Sequence, residues 1–295
     1  MINQYKRLDV FRCNYQSHAK FENRVSVYHV LKVKHCYPQG CLYFQWHCQR
    51  LNKGESCIKG YTYMGRLCSG CRYYYDVKVH HQPQIILSES EYQLFLEELE
   101  AFEDWLATIE GHEVNFGGTI ESVKPRFMKT IRSDGSQVKL VGYLVQFKEG
   151  YVDTVHLEDR CYALISVEQQ ERNKFAGGDV VEFKSWLKLD QGRLIFPRMK
   201  AVEWVEKSPN GAWTYSQALV AKKTSTIFHK QPLRCLSCPK GALVDVEDHS
   251  GPKVQKRREL FCLEGIADPE YCYLVPELEE SLLEEECPGP GKVKA

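Results

Sequence analysis

Between residues 88 and 110 the apolar positions Tyr92, Phe95, Leu96, Leu99, Phe102, Trp105, Leu106 and Ile109 recur at helical spacing, with acidic residues on the opposite face. Ser88 and Glu91 form a capping box ahead of them, and Gly111 stands where a left-handed C-cap is wanted. From residue 117 to 206 the rhythm becomes an apolar/polar alternation broken by glycine turns, over residues 117–123, 139–147, 153–167, 180–187, 194–196 and 201–205. Residues 242–246 and 258–261 predict two strands of a hairpin around the loop 249–252. Residues 207–234 show a turn and a connecting segment without a clear period, and the Pro-Gly-Pro-Gly-Lys-Val-Lys-Ala stretch at 288–295 reads as a disordered tail.

The expected class is therefore α+β, mainly β. The segments are a Cys-rich module over 1–87, an acidic amphipathic helix over 88–111, a β-barrel over 112–207, a second Cys-containing module over 208–287 and the tail. In its strand lengths, and in the Gly177-Gly178-Asp179 turn before the fourth strand, the 112–207 stretch resembles an OB-fold, a five-stranded Greek-key barrel. That resemblance implies a ligand-contacting loop between the first and second strands, where Lys124, Arg126, Phe127, Lys129 and Arg132 fall.

Charge sharpens this division. The chain is formally neutral, yet residues 1–82 carry 13 basic against 4 acidic residues, and residues 83–110 carry 8 acidic and no basic ones. Residues 209–258 are basic again and residues 259–295 acidic. Neutrality is a cancellation between blocks, so a polyanionic partner stays open, and the acidic helix is a candidate for docking on the basic segment or on a protein partner. No run approaches the roughly 20 apolar residues of a membrane span, and the first residues lack a signal peptide's apolar core. The expectation is a cytoplasmic or otherwise intracellular chain that does not enter a membrane.

In a reducing compartment, grouped cysteines point to metal before disulfides. Six of the thirteen, Cys36, Cys41, Cys48, Cys57, Cys68 and Cys71, form one set, and Cys235, Cys238, Cys262 and Cys272 form another; Cys13, Cys161 and Cys287 stand apart. Cys235-Leu-Ser-Cys238-Pro-Lys-Gly241 is a knuckle in which two thiolates converge on one cation and the glycine permits the tight turn. Followed by a hairpin and two further cysteines, it resembles a zinc ribbon, although the spacing from Cys262 to Cys272 departs from that family's usual two-residue second pair. Four thiolates make a closed, structural site. In the first set either one metal takes four of six cysteines, or two metals share them with histidines. Two or three Zn²⁺ ions are expected, with a [4Fe–4S] cluster on the N-terminal cysteines as the alternative, since thiolates alone do not discriminate.

Around the first set, aromatic residues interleave with positive charge, and Trp46, Arg66, Arg72, Tyr73 and Tyr74 are candidates for stacking on bases and neutralising phosphates. Lys256, Arg257 and Arg258 form a second basic cluster beside the C-terminal hairpin. An aromatic core for a small metal-stapled module explains the first pattern as well, and solvated hairpin charge explains the second. The phosphate-loop, dinucleotide, zinc-protease, nucleophile-elbow and deaminase signatures are all absent from the sequence. The leading expectation is a non-enzymatic, metal-stabilised binder of single-stranded DNA or RNA. A protein-interaction scaffold with structural zinc and an iron–sulfur enzyme component are the alternatives.

Overall fold

The computed structural model describes residues 1–228, 232–251 and 253–274. Cys287, the tail at 288–295 and most of the last acidic run lie outside the described residues. The chain forms two compact units, residues 1–110 with 189–194, and residues 111–188 with 195 onward. The class is mixed, with strands in the majority. Among the described residues no helix is long and apolar enough to cross a membrane.

The first unit carries β1 (Phe11–Arg12), β2 (Arg24–Val25), β3 (Cys41–Cys48), β4 (Tyr74–His81) and β5 (Gln84–Ile85), with helices α1 (Gln49–Asn52) and α2 (Glu89–Ile109). β1 lies between β2 and β5, while β3 and β4 form an antiparallel ribbon in continuous register from Cys41 opposite His81 to Cys48 opposite Tyr74. α2 has the expected boundaries because Ser88 and Glu91 satisfy each other's backbone amides. Its buried face, Phe95, Leu99, Phe102 and Trp105, packs with the N-terminal segment, where the Tyr5 ring meets Phe102 edge-on at 5.3 Å. The acidic face is partly spoken for: Glu98 pairs with Arg7 at 3.3 Å, and Glu103 pairs with Lys32 at 3.1 Å and accepts from the Tyr5 hydroxyl.

The second unit is organised by two long strands, β6 (Glu113–Arg132) and β7 (Gly135–Val152). β8 (Val155–Leu157) and β9 (Cys161–Ile165) follow, then α3 (Val167–Asn173), β10 (Val180–Trp186), β11 (Lys188–Asp190), β12 (Arg193–Phe196) and β13 (Lys200–Glu206). β6 pairs with β7, β7 with β9, Ile195 and Phe196 of β12 with β9 in parallel, β13 with β10, and β10 with β6. Between these two arms of pairing Phe116, Phe147, Phe183 and Phe196 form one cluster. A Cβ on Gly150 would sit 2.4 Å from the Phe116 ring, so this glycine is required for space. Cys161 is fully buried, in keeping with a packing role.

Past its pairing with β10, β6 gains another partner beside β7. α4 (Tyr215–Thr224), capped by Thr214 with Gln217, fills the stretch in which the sequence shows no clear period. β14 (Thr226–Phe228), α5 (Leu233–Ser237), β15 (Gly241–Asp248) and β16 (Gln255–Cys262) come next. β15 and β16 form the expected hairpin, and β15 runs parallel to β6 from Asp245 opposite Met128 to Asp248 opposite Ile131. Phe127, Ala221, Ala242, Val244, Phe261 and Leu263 make a second core there.

Paired charges tie this hairpin together. Asp245 receives Arg258 at 2.9 Å and Arg126 at 3.1 Å. Burial works to raise its carboxyl, but the hydrogen bonds and charges of Arg258 and then Arg126 outweigh that and hold it below the ordinary carboxylate range. A carboxyl depressed in the folded state contributes stability that is full above its unfolded pKa and lost as pH falls through the folded value. Asp245→Asn is therefore expected to lower stability by about 2 kcal/mol at neutral pH. The gap between wild-type and variant melting temperatures should close only below about pH 4; a gap that persists unchanged at pH 3 would show that the ion pairs are not its source.

Candidate metal centres and nucleic-acid face

The β3–β4 ribbon decides how the six N-terminal cysteines divide. Cys41 and Cys48 are the first and last residues of β3, seven residues apart, which in an extended strand is about 24 Å. They cannot share an ion. At the Cys48 end, Cys48, Cys57, Cys68 and Cys71 line one cavity of about 20 Å³ together with Leu51 and Tyr74. That is room for about one water-sized body. The Lys59 amide donates to Cys57 Sγ at 3.4 Å, and the Cys57 thiol is held below its ordinary value by the amides of Lys59 and Tyr61 and, against a small effect of burial, of Gly60. Amides aimed at a sulfur favour the thiolate, which is the form that binds metal. Residues 49–73 include no buried residue, so no hydrophobic core holds this loop.

The second set also converges. Cys235 lies in α5 and Cys238 just beyond it; Cys262 ends β16 opposite Gly241; Cys272 follows a short 3₁₀ turn, Pro269–Tyr271, whose Pro269 carbonyl accepts from Arg234 at 2.9 Å. Burial pushes the Cys235 thiol up, and the nearby thiols of Cys238, Cys272 and Cys262 push the same way against Arg234. Lys240 donates its amide to Cys238 Sγ at 3.3 Å, the same arrangement as at Cys57. Gly241 is needed here for close approach: a Cβ would lie 1.9 Å from the Cys235 carbonyl oxygen.

Against this knuckle lies Lys124, which the OB-fold resemblance places in a ligand-contacting loop. It is buried within β6, and its Nζ donates to the carbonyls of Cys238 (2.7 Å) and Gly241 (3.0 Å). Burial pushes its ammonium pKa down to about 8, opposed by Cys238 and Glu121. When charged, it places a positive group beside Cys238, where a thiolate would be stabilised.

Among the described residues, no three His, Cys, Asp or Glu side chains stand in metal-ligating geometry as the chain lies. Each set shares a cavity or electrostatic reach, without bond-length contacts. Four thiols in each set, with a backbone amide aimed at one sulfur, are a donor set of the kind that Zn²⁺ takes.

The expected nucleic-acid contacts divide sharply. The loop expected to hold Lys124, Arg126, Phe127, Lys129 and Arg132 is strand, because β15 continues the sheet alongside it. Phe127 is fully buried, Arg126 is taken by Asp245, and Lys129 by Glu259 at 2.8 Å. The second basic cluster is neutralised within the hairpin, with Lys256 on Glu247, Arg257 on Asp248 and Arg258 on Asp245 across it, and Arg257 also on Glu259 of its own strand. Tyr73 has the Arg72 guanidinium 4.7 Å and the Arg50 guanidinium 5.4 Å from its ring centre. Tyr74 lines the cysteine cavity and gives its hydroxyl to Asp76, which raises its pKa to about 12. Arg66 is exposed at the start of the turn that carries Cys68.

Trp46 is different. With Leu42 and Phe44 it forms an exposed stripe on one face of β3, the three being 44 %, 57 % and 61 % accessible. Opposite them on β4 stand Asp76, Lys78 and His80. Leu42 and Phe44 were findable from their two-residue spacing with Trp46. A broad groove of about 720 Å³ in the second unit, along Gly117–Gly118, Glu149–Tyr151 and Glu182–Lys184, presents Glu149, Asp153, Glu182 and Glu203 against Lys184, a poor match for a polyanion. Compared with models of known families, with curated proteins and with solved structures, the chain matches none.

Proposed function

We propose that the protein is a non-enzymatic, metal-stabilised binder of single-stranded DNA or RNA. The reading is carried by the Leu42–Phe44–Trp46 stripe, an apolar and aromatic row left uncovered beside Lys78 in the most basic segment of the chain. Ring faces stack on unpaired bases while surrounding cations neutralise phosphates. Two arms of pairing leave β6, one through β7 and β9 to β12 and the other through β10 to β13; with the shared phenylalanine core they support an OB-like barrel over 112–207, and the knuckle followed by β15 and β16 supports a zinc-ribbon-like module. The absence of the recognisable ferredoxin spacings from the sequence favours zinc over a four-iron cluster at Cys48, Cys57, Cys68 and Cys71.

The test is fluorescence anisotropy with labelled single-stranded DNA and RNA oligomers over a salt series. Binding at low salt is expected to weaken linearly in log–log form, with a slope reporting several phosphate contacts. No binding at low salt, or an affinity indifferent to salt, would sink the reading.

A further inference from the structure

Two of the six N-terminal cysteines, Cys36 and Cys41, lie outside the four-thiol cavity, and a cysteine that stands apart in the sequence joins them. Cys13 and Cys36 are both buried, at 3 % and 5 % accessibility, and Cys41 is half-buried. They come from three separate places: just past β1, just past the turn of a wide helix at His29–Val33, and the first residue of β3. Burial raises the Cys36 thiol, and the neighbouring thiols of Cys41 and then Cys13 add to it. Cys41 and Cys13 thus lie within electrostatic reach of the buried Cys36, and thiols grouped in such a setting call for a cation or for protonation.

A fourth donor stands beside Cys13. The ring of His18 hydrogen-bonds to the Cys13 backbone carbonyl, while its Nδ1 is shielded from solvent and has no hydrogen-bond partner. With Nε2 donating, Nδ1 carries the free lone pair. Ligating histidines are commonly oriented in this way, one nitrogen held by a carbonyl and the other turned to the metal. The ring is fixed by edge-on contacts with Tyr15 at 5.5 Å and His29 at 5.2 Å, and Tyr15 in turn packs on Tyr43 at 4.7 Å. In sequence the four donors form two pairs, Cys13-x₄-His18 and Cys36-x₄-Cys41.

We propose that Cys13, Cys36, Cys41 and Nδ1 of His18 form a further, separate structural site for Zn²⁺, of the three-cysteine, one-histidine type. It shares with the proposed function the reading of grouped thiols as ligands, but it draws on none of the eight cysteines in the other two sets. It ties the β1 segment to the start of the β3–β4 ribbon, so the ribbon is anchored at both ends.

The full-length protein, purified without added metal, is expected to carry about three equivalents of zinc by mass spectrometry of the metal. Cys13→Ser and His18→Ala are each expected to lower this by one equivalent, while Cys235→Ser lowers it by one through a different site. If the variants fail to fold, the wild-type protein still decides. Long-range ¹⁵N–¹H NMR should show His18 as one neutral tautomer, protonated on Nε2, that does not titrate between about pH 5.5 and 8. Two equivalents in the wild type together with a normally titrating His18 would overturn this site and leave the other two standing. Loss of zinc on Cys235→Ser but not on Cys13→Ser would do the same.

Discussion

Replacing Cys57 by Ser is expected to cost the protein one equivalent of zinc and to open the whole loop from residue 49 to 73. The size of the effect follows from what else holds that loop. It contains no buried residue, and it hangs from a two-stranded ribbon, a structure that is marginal in water by itself. A structural zinc site contributes about 10–16 kcal/mol of apparent binding energy in small domains, against the roughly 5–15 kcal/mol by which a whole domain is stable. Trypsin at Lys53, Lys59, Arg66 and Arg72 gives the readout. The wild type should resist at these bonds until a chelator is added, and Cys57→Ser should be cut without one. A variant that keeps its zinc and its resistance would show that the four cysteines of this cavity are not ligands.

The second large effect is expected on binding. Removing a stacking side chain costs about 1–3 kcal/mol per base, so Phe44→Ala and Trp46→Ala together should weaken single-stranded oligonucleotide binding by roughly 100-fold or more. Because both side chains are exposed, the melting temperature and zinc content should hardly move. Lys78→Gln, in the same ribbon opposite Phe44, should weaken binding less and lower the salt slope by about one. Unchanged affinity in a folded double variant would move the nucleic-acid contact away from β3 altogether, or remove it.

The parts of the fold legible in the sequence are those whose causes are local. Ser88 and Glu91 are three residues apart, and the apolar positions of α2 all lie within 18 residues, so the helix announces itself. The β15–β16 hairpin is equally local. What escapes is set by distant partners. Nothing near Lys124, Arg126 or Phe127 says that a strand beginning more than a hundred residues later will lie along β6, cover Phe127 and supply Asp245. The basic run Lys256–Arg258 looks like a free patch because its neutralising carboxylates stand across the hairpin. α4 carries a readable cap in Thr214 and Gln217, but its buried positions are the alanines Ala218 and Ala221, which give a weak apolar signal. The candidate sites show the same divide: the Cys235–Cys238 knuckle is legible from spacing, whereas the separation of Cys41 from Cys48 needs the knowledge that β3 is extended between them.

β6 is one uninterrupted strand whose first part, from Glu113 to Thr119, pairs with β10 and whose last part, from Met128 to Ile131, pairs with β15. The strands that pair on the β10 side and the cysteine-bearing hairpin therefore share a backbone and are not detachable cassettes. Cutting the chain after residue 207 would strip the cover from Phe127 and leave four residues of strand edge open, the kind of edge on which other chains assemble. In this unit the cysteine knuckle is better understood as the closing piece of one sheet than as an appendage to it.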